Sequence, residues 1–207
     1  MNVTFLIRGI IVGFSIAAPV GPIGVLCIRR TLADGRASGF VSGLGAATAD
    51  AIYGSIAAFG LTVVSGVLVG QQVWLRLIGG GFLCYLGFRI FTARPAEYDA
   101  APTRTGLCSA YASTFFLTLT NPMTILSFAV IFAGLGLAGA SASVASAAVL
   151  VAGVFLGSAV WWLILSTSAG ALRAKVNTAR LHWVNQISGG IILAFGFAAL
   201  ASIVMVR

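Results

Sequence analysis

A long stretch without charge is the feature of this sequence that most constrains its fold. From Thr105 to Leu172 the chain contains no Asp, Glu, Lys or Arg. A membrane-spanning helix needs about 20 predominantly apolar residues, so the stretch can hold two such helices and their connection. Over the whole chain only 8% of residues are charged, against roughly 25% in soluble domains. Because the apolar runs are too long and uniform for barrel strands, the sequence predicts an all-α integral membrane protein.

Six apolar segments are predicted to be spans, and the basic residues give them a common orientation. The predicted spans are 5–28, 38–64, 68–91, 106–135, 142–168 and 182–205. Most of the 12 Lys and Arg residues fall at the first, third and fifth connections, namely Arg29, Arg30, Arg36, Arg89, Arg94, Arg104, Arg173, Lys175 and Arg180. By the positive-inside rule these connections are cytoplasmic, and both termini lie outside. Membrane orientation therefore explains the formal net charge of +8, and no nucleic-acid partner is predicted.

One polar connection divides the chain into two halves. Residues 93–105 form the predicted cytoplasmic linker, which contains Glu97 and Asp99. The linker separates a first three-helix repeat at 1–92 from a second at 106–207. Since three is an odd number of spans, the second half must be inverted relative to the first. The predicted fold is therefore six transmembrane helices arranged as a 3+3 inverted repeat.

Two internal correspondences support this division. The third and sixth spans share identical residues at one constant offset. The coincident pairs are Trp74/Trp183, Ile78/Ile187, Gly80/Gly189, Gly81/Gly190, Gly87/Gly196 and Phe88/Phe197. In addition, Gly21-Pro22 interrupts the first span and Asn121-Pro122 interrupts the fourth at a matching position. Broken helices at corresponding positions of two halves indicate a transporter site, so helices 1 and 4 are predicted to be broken.

Proline explains why these breaks are candidate binding positions. A proline within a helix lacks an amide hydrogen and leaves the carbonyl four residues earlier without its usual donor. Pro19 and Pro22 would release the carbonyls of Ser15 and Ala18, and Pro122 would release that of Thr118. Within a bilayer such irregular backbone survives only where protein or a watery cavity covers it. The alternative is a simple kink, but two prolines with a glycine between them favour a true interruption.

Asp50 is the one acidic residue placed far from any predicted loop. It lies roughly 18–20 Å from the cytoplasmic start of the second span, at about 1.5 Å per residue, near the middle of the bilayer. A carboxylate there costs about 3 kcal/mol, so it should face a cavity or a partner. Two interpretations remain open: a hydrogen-bonded Asp that joins two helices, or one that takes up and releases a proton. The sequence favours the second.

Polar side chains of the fourth span complete the candidate site. Thr114, Thr118 and Asn121 share one helix face, and Asn121 lies at the depth of Asp50. Trp161 lies in the middle of the fifth span, where packing alone is an equal alternative to lining the cavity. The predicted substrate-binding residues are Pro19, Gly21, Pro22, Thr118, Asn121, Pro122 and Trp161, with Asp50 for proton coupling.

No cofactor, metal centre or enzyme activity is predicted. The sequence shows no P-loop, no metal-ligand cluster and no nucleophile–base pair. Cys27, Cys84 and Cys108 lie in or at the ends of apolar segments, without a CxxC motif, and are interpreted as small apolar residues.

Several segments together resemble the LysE/RhtB superfamily of amino-acid exporters. The opening Ala18-Pro19-Val20-Gly21-Pro22, the later Ala33-Asp34-Gly35-Arg36, the pair Ala49-Asp50 and the element Thr120-Asn121-Pro122 resemble the family's motifs. Trp161 resembles a fifth-span tryptophan of the family.

The resemblance implies a function. Family members export amino acids or related small metabolites across the bacterial plasma (inner) membrane, coupled to the proton gradient, from a compact six-span fold that commonly forms homodimers. They often have Gln or Asn directly after the Gly-Pro, where this chain has Ile23 and Gly24; this departure disfavours a basic or strongly polar substrate side chain. The alternatives are a membrane thiol-redox carrier, which requires paired reactive cysteines, and a metal-ion exporter, for which one His and four acids offer few ligands.

Overall fold

The described part of the chain is helical. The computed structural model describes residues 2–19, 21–58, 71–93, 104–121, 124, 127–128, 144–173 and 178–205. Within these ranges the elements are α1 (Asn2–Ala17), α2 (Pro22–Asp34), α3 (Arg36–Ala58), α4 (Gln72–Phe91), α5 (Arg104–Leu119), α6 (Val144–Leu172) and α7 (Thr178–Met205). No strand occurs among the described residues.

Length and apolarity fit these helices to a membrane. Among the described residues, three helical segments are long and apolar enough to cross one on their own: Val73–Phe91, Val144–Leu172 and Arg180–Ile203. The pair α1 and α2 counts as a fourth if it forms one broken span. Many large apolar side chains on these helices are exposed, for example Trp74, Phe88 and Trp183. Such a surface suits contact with lipid and not with water.

The first predicted span is two helices with a sharp break between them. The axes of α1 and α2 differ by 82°. Gly21 precedes α2 with extended backbone, and Pro22 is its first residue, a position where the missing amide hydrogen costs nothing. The sequence-based placement of Arg29 and Arg30 in a connection is wrong, because α2 continues to Asp34.

One glycine forms the whole connection between α2 and α3. Gly35 has a φ of 97°, in the region that favours glycine over residues with a Cβ. Its amide donates to the carbonyl of Thr31 at 3.1 Å and ends α2. The chain then enters α3 at Arg36.

Small residues let α1 and α6 pack side by side in the same direction. Gly153 faces Leu6, Gly157 faces Ile10, and further along the ring of Phe14 lies edge-on to Trp161 at 5.4 Å. A Cβ added at Gly157 would lie 2.0 Å from the Ile10 carbonyl oxygen. Close approach through small residues is usual where membrane helices pack.

α3 lies between α6 and α5. It runs antiparallel to α6, since Gly54 faces Val154 near one end and Arg36 contacts Gly170 at the other. It runs parallel to α5: Gly45 packs on the backbone of Tyr111, and Tyr53 lies eight residues further along beside Leu119. The contacts α1 with α6 and α3 with α5 are thus both parallel.

α4 and α7 form a separate antiparallel pair, closed by glycines. Gly80 approaches Gly196, and Gly87 approaches Gly189. These four glycines form the coincident sequence pairs Gly80/Gly189 and Gly87/Gly196. If each glycine of the Gly80–Gly196 contact is replaced by its sequence counterpart, the result is the Gly87–Gly189 contact. The exposed coincident residues also match, because Trp74 and Trp183 are 61% and 64% exposed and Phe88 and Phe197 are 61% and 63% exposed.

Described residues next to the predicted basic connections contact one another at one end of the helices. Nη2 of Arg173, at the end of α6, donates to the carbonyl of Ala33 beside the α2–α3 turn at 3.4 Å. Asn185 near the start of α7 accepts from Arg29 of α2 and donates to the carbonyl of Ala93 beyond α4. The described ends of α2, α4 and α6 and the first part of α7 therefore lie near one another.

Some predictions fall outside the described residues. These include most of the linker predicted at 93–105 with Arg94, the second and fourth connections, the part of the fourth span beyond Phe128, Pro122 and Lys175.

Candidate functional site

A cavity of about 590 Å³ lies beside the break in the first span. Its volume is within the ~300–1,000 Å³ of typical small-molecule sites. The break contributes Pro19, Gly21 and Pro22, while α4 and α7 contribute residues that include Arg76 and Phe195. Its polar lining comes largely from one stretch around the end of α5, namely Thr120, Asn121, Thr124 and Ser127.

A second, smaller cavity of about 70 Å³ adjoins the same break. Asp50, Thr118 and Trp162 line it. It has several times the ~10–15 Å³ that one water molecule needs, and polar groups to bind it. The residues Ile16, Pro19, Gly21, Pro22, Ile23, Asn121 and Thr124 line both cavities. The break of the first span and the residues Asn121 and Thr124 after α5 therefore border both the large cavity and the small cavity of Asp50.

Asp50 is held in a short hydrogen-bonded chain between α3 and α6. It is 3% exposed, and its Oδ2 accepts from the Ser158 hydroxyl at 2.7 Å. Ser158 in turn accepts from Nε1 of Trp162, one helical turn further along α6, at 3.1 Å. Because an indole N–H can only donate, it directs the serine hydroxyl toward the carboxyl group.

Gly43 on α3 makes room for this arrangement. A Cβ added at Gly43 would lie 2.3 Å from the Cβ of Trp162. The small residues around Asp50 therefore let the tryptophan cross the face of α3 and reach Ser158. Asp50 is thus a buried acid with the Ser158 hydroxyl as a fixed hydrogen-bond donor and a small cavity beside it. Its carboxyl group is therefore a defined site where a proton can bind.

Backbone groups at the end of α5 are satisfied in ways that a continuous helix would not need. Pro122 has no amide hydrogen to donate to the carbonyl of Thr118. That carbonyl instead accepts from the Asn121 amide at 3.2 Å. The carbonyl of Leu119, the last residue of α5, accepts from the Tyr53 hydroxyl. Asn121 itself accepts the Thr124 amide at 3.1 Å. The helix thus stops at the level of the cavities and its last carbonyls face protein donors.

The structure brings most of the sequence-predicted site residues together. Pro19, Gly21, Pro22 and Asn121 line both cavities, and Thr118 and Asp50 line the small one. Trp161 lines neither, since it packs against Phe14, and the adjacent Trp162 takes the place at the cavity. Pro122 lies outside the described residues.

Thr114 lines neither cavity, unlike Thr118 and Asn121 on the same predicted helix face. It is fully buried and accepts a hydrogen bond from Arg30 at 3.0 Å. Arg30 also binds Ser42, the carbonyl of Ala110 and Ser113. Sequence reasoning missed this cluster, because it assigned Arg30 to a loop. The adjacent hydroxyl residues Ser113 and Thr114 within an uncharged predicted span were the available signal.

Arg76 is the other residue that sequence reasoning passed over. It lies slightly inside the start of the third predicted span. In the structure it lines the large cavity, and its Nη1 donates to the carbonyl of Ser202 at 3.0 Å.

The cysteines stand apart from the cavities. Cys27 is buried in the core, Cys84 is half-buried and Cys108 is exposed, and none of the three lines either cavity. Among the described residues no group of three His, Cys, Asp or Glu side chains is placed to hold a metal ion.

The fold and the site define a class, a helical membrane protein with a ligand-sized cavity at a broken helix. The family model named LysE type translocator matches residues 14–202. The chain therefore belongs to the LysE type translocator family, whose members are transporters, and the resemblance found in the sequence motifs is confirmed.

Two relatives illustrate the similarity. The chain is 27% identical over 192 residues to "Putative amino acid efflux protein YcgF" of Bacillus subtilis (strain 168), covering 91% of each chain. It is 29% identical over 178 residues to "Uncharacterized membrane protein YahN" of Escherichia coli (strain K12), covering 81% of this chain and 76% of the relative. No solved structure gives a significant match to the chain.

Proposed function

We propose that this protein is a secondary active exporter of amino acids or related small metabolites, coupled to the proton gradient across the bacterial plasma (inner) membrane. One observation carries the proposal: the substrate-sized cavity and the small cavity of Asp50 share lining residues, both at the break between α1 and α2 and at Asn121 and Thr124 after α5. The Bacillus subtilis relative, which is named for amino acid efflux, supports the choice of substrate class.

The fold behind this proposal is a six-span 3+3 inverted repeat with helices 1 and 4 broken. In such a repeat, span one corresponds to span four and span two to span five. The parallel contact of α1 with α6 then corresponds to the parallel contact of α5 with α3. Since span three corresponds to span six, the contact between α4 and α7 joins two equivalent helices. The Gly80–Gly196 and Gly87–Gly189 contacts support the same symmetry, because the residues of one contact are the sequence counterparts of the residues of the other.

Binding would use the backbone groups that the first break exposes. Pro22 has no amide hydrogen, so the first turn of α2 presents the amides of Ile23 and Gly24 beside the cavities. A helix N-terminus of this kind attracts a carboxylate, while carbonyls at a helix C-terminus attract an ammonium group. The ends of α1 and α2 thus offer both partners of a zwitterion at one place.

Asp50 would couple the proton gradient to transport. When a proton binds, the carboxyl group loses its charge and can leave the Ser158 hydroxyl, which changes the contact between α3 and α6. Because Asn121 and Thr124 line both cavities, substrate and proton can each alter the same wall. Such shared contact is the physical requirement for coupling between two sites.

The test is export from proteoliposomes. Purified protein is reconstituted with a panel of radiolabelled amino acids inside, and efflux is measured with and without an imposed pH gradient. We expect Asp50→Asn to remove the stimulation by the gradient, because the amide cannot carry a proton, while substrate exchange without a gradient remains.

Asp34→Asn is the matched control, since Asp34 is an exposed acid at the end of α2. It should behave as the wild type. If Asp50→Asn shows the same gradient-stimulated efflux as the wild type at every pH, the coupling role of Asp50 is wrong. If the wild type moves none of the amino acids, the amino acid substrate class is wrong.

A further inference from the structure

A single arginine gives the large cavity its charge. Among the described residues that line it, Arg76 is the one with a charged side chain. The others are apolar, such as Ile16, Leu83 and Phe195, or carry neutral hydroxyl and amide groups. A charged residue within a membrane-spanning helix is costly to keep and marks a functional position by default.

The position of Arg76 separates it from the ordinary arginines of membrane-helix ends. Arg89 lies on the same helix, roughly 220° around its axis at about 100° per residue. Arg89 is exposed, and its guanidinium lies near the hydroxyl of Tyr85. Arg76 instead turns toward α7, where Nη1 is held by the carbonyl of Ser202 at 3.0 Å. That bond fixes the guanidinium against the cavity wall, so it does not extend toward the lipid surface.

The chemistry of a guanidinium then indicates what the cavity accepts. It offers five N–H donors in a planar fork that fits a carboxylate, and it never accepts a hydrogen bond. The N-terminus of α2 at the cavity also attracts anions, but a helix end carries only about half a unit charge. The full charge of Arg76 is therefore the stronger determinant of the field within the cavity.

We propose that Arg76 binds the carboxylate of the transported molecule and so determines specificity. The apolar residues of the same cavity surround the rest of the substrate, which points to a small carboxylate with a neutral, apolar side chain. A cationic side chain is repelled by Arg76 and finds no acidic residue among the described lining residues. The inference rests on the proposed export function and names its substrate class.

The test uses three compounds that share one apolar side chain. L-Leucine has an ammonium and a carboxylate, L-leucinamide lacks the carboxylate, and 4-methylpentanoate lacks the ammonium; L-lysine is added as a cationic side chain. Dissociation constants are measured by calorimetry on the purified full-length wild type and on Arg76→Gln, Arg76→Lys and Arg89→Gln. Arg89→Gln is the matched control, because it makes the same change on the same helix outside the cavity.

For the wild type we expect leucine to bind about 10- to 100-fold more tightly than leucinamide, the range for a hydrogen bond to a charged group. Lysine should bind as weakly as leucinamide or more weakly. In Arg76→Gln the leucine-to-leucinamide ratio should fall to the much smaller value that the N-terminus of α2 alone supports, while Arg76→Lys keeps most of the wild-type ratio and Arg89→Gln all of it. A purely structural role of Arg76 would lower the thermal stability of the variant and leave this ratio intact.

The other outcomes separate the two proposals. If Arg76→Gln keeps the wild-type ratio and leucine is still exported, the export function stands and the role of Arg76 is overturned. If the wild type binds 4-methylpentanoate but not leucine, and Arg76→Gln loses that binding, the role of Arg76 stands and amino acid export is wrong. If the wild type binds none of the four compounds, both are overturned.

Discussion

Arg30 shows how this protein keeps a full positive charge inside a helical membrane fold. The side chain is 9% exposed, and its guanidinium donates to Ser42, Ala110, Ser113 and Thr114. All four acceptors are neutral, so the charge is stabilised by the number of its hydrogen bonds. Since they come from α3 and α5, the arginine also ties α2 to both helices.

We expect Arg30→Gln to lower the stability of the protein strongly. A glutamine side chain is shorter and cannot reach most of these acceptors, so the buried carbonyl of Ala110 loses a charged donor. Losing such bonds costs about 3 kcal/mol, which for a chain of this size lowers Tm by about 6–12 °C. The measurement is a thermal melt of the purified protein in detergent.

The neighbouring residue provides the comparison for Arg30. Arg29 is half-buried, and its Nε donates to Asn185 at 2.9 Å. Arg29→Gln removes this contact but leaves the α3 and α5 contacts in place, and should lower Tm by less than half as much. Equal losses in the two variants would contradict the role of the four-acceptor cluster.

At this scale the sequence predicts some residues and cannot predict others. Asp50 could be found because an acid within an apolar span is rare and its depth follows from counting residues. Trp161 and Trp162 are both in the middle of a helix that is apolar on all sides, so no amphipathic pattern distinguishes the one at the cavity. Arg76 could be seen as a charge, but the helix face that it occupies depends on the packing of α4 against α7.

Paired glycines decide the packing of whole helices, and α7 allows a direct comparison of two of them. Gly189 and Gly190 are adjacent in sequence. A Cβ at Gly189 would lie 2.5 Å from the amide nitrogen of Phe91 in α4, whereas a Cβ at Gly190 would meet nothing within 4 Å. The first glycine is therefore required by the close approach of two backbones, and the second is not.

We expect Gly189→Ala to destabilise the protein by about 1–3 kcal/mol, because α4 and α7 must separate to accommodate the methyl group. Gly190→Ala should be neutral or stabilise the protein by up to about 1 kcal/mol through helix propensity. Thermal melts of the two variants check the difference. A loss of stability that is the same in both would mean that α4 and α7 do not pack through Gly189.

The elements themselves were largely predictable, and their ends were not. Apolar runs located the helices, and the sequence Pro19-Val20-Gly21-Pro22 located the break between α1 and α2. The first run ends at Ile28, yet α2 continues to Asp34, because polar groups of α3, α5 and α7 receive Arg29 and Arg30. An apolar window cannot detect a helix end whose charged residues are satisfied by tertiary contacts.

In the whole molecule, the described helices form two packed groups with the large cavity between them. α1, α3, α5 and α6 contact one another in series, while α4 and α7 pack mainly on each other and join the first group through α2. Two groups that share few contacts can move relative to each other, which is how many transporters alternate access to a fixed site. The sequence predicted two halves, but it could not predict that each group would take helices from both.

The orientation of the whole molecule can be tested at the two ends of its first span. The α2–α3 turn lies beside Arg173, and the positive-inside rule predicts that this end faces the cytoplasm. Val3, at the other end of the span, is 67% exposed. In a cysteine-free background, a membrane-impermeant maleimide should label the V3C variant in intact cells and the D34C variant only after permeabilisation. The reverse pattern would invert the molecule, and labelling of both variants from one side would mean that α1 and α2 do not together cross the membrane, as a six-span fold requires.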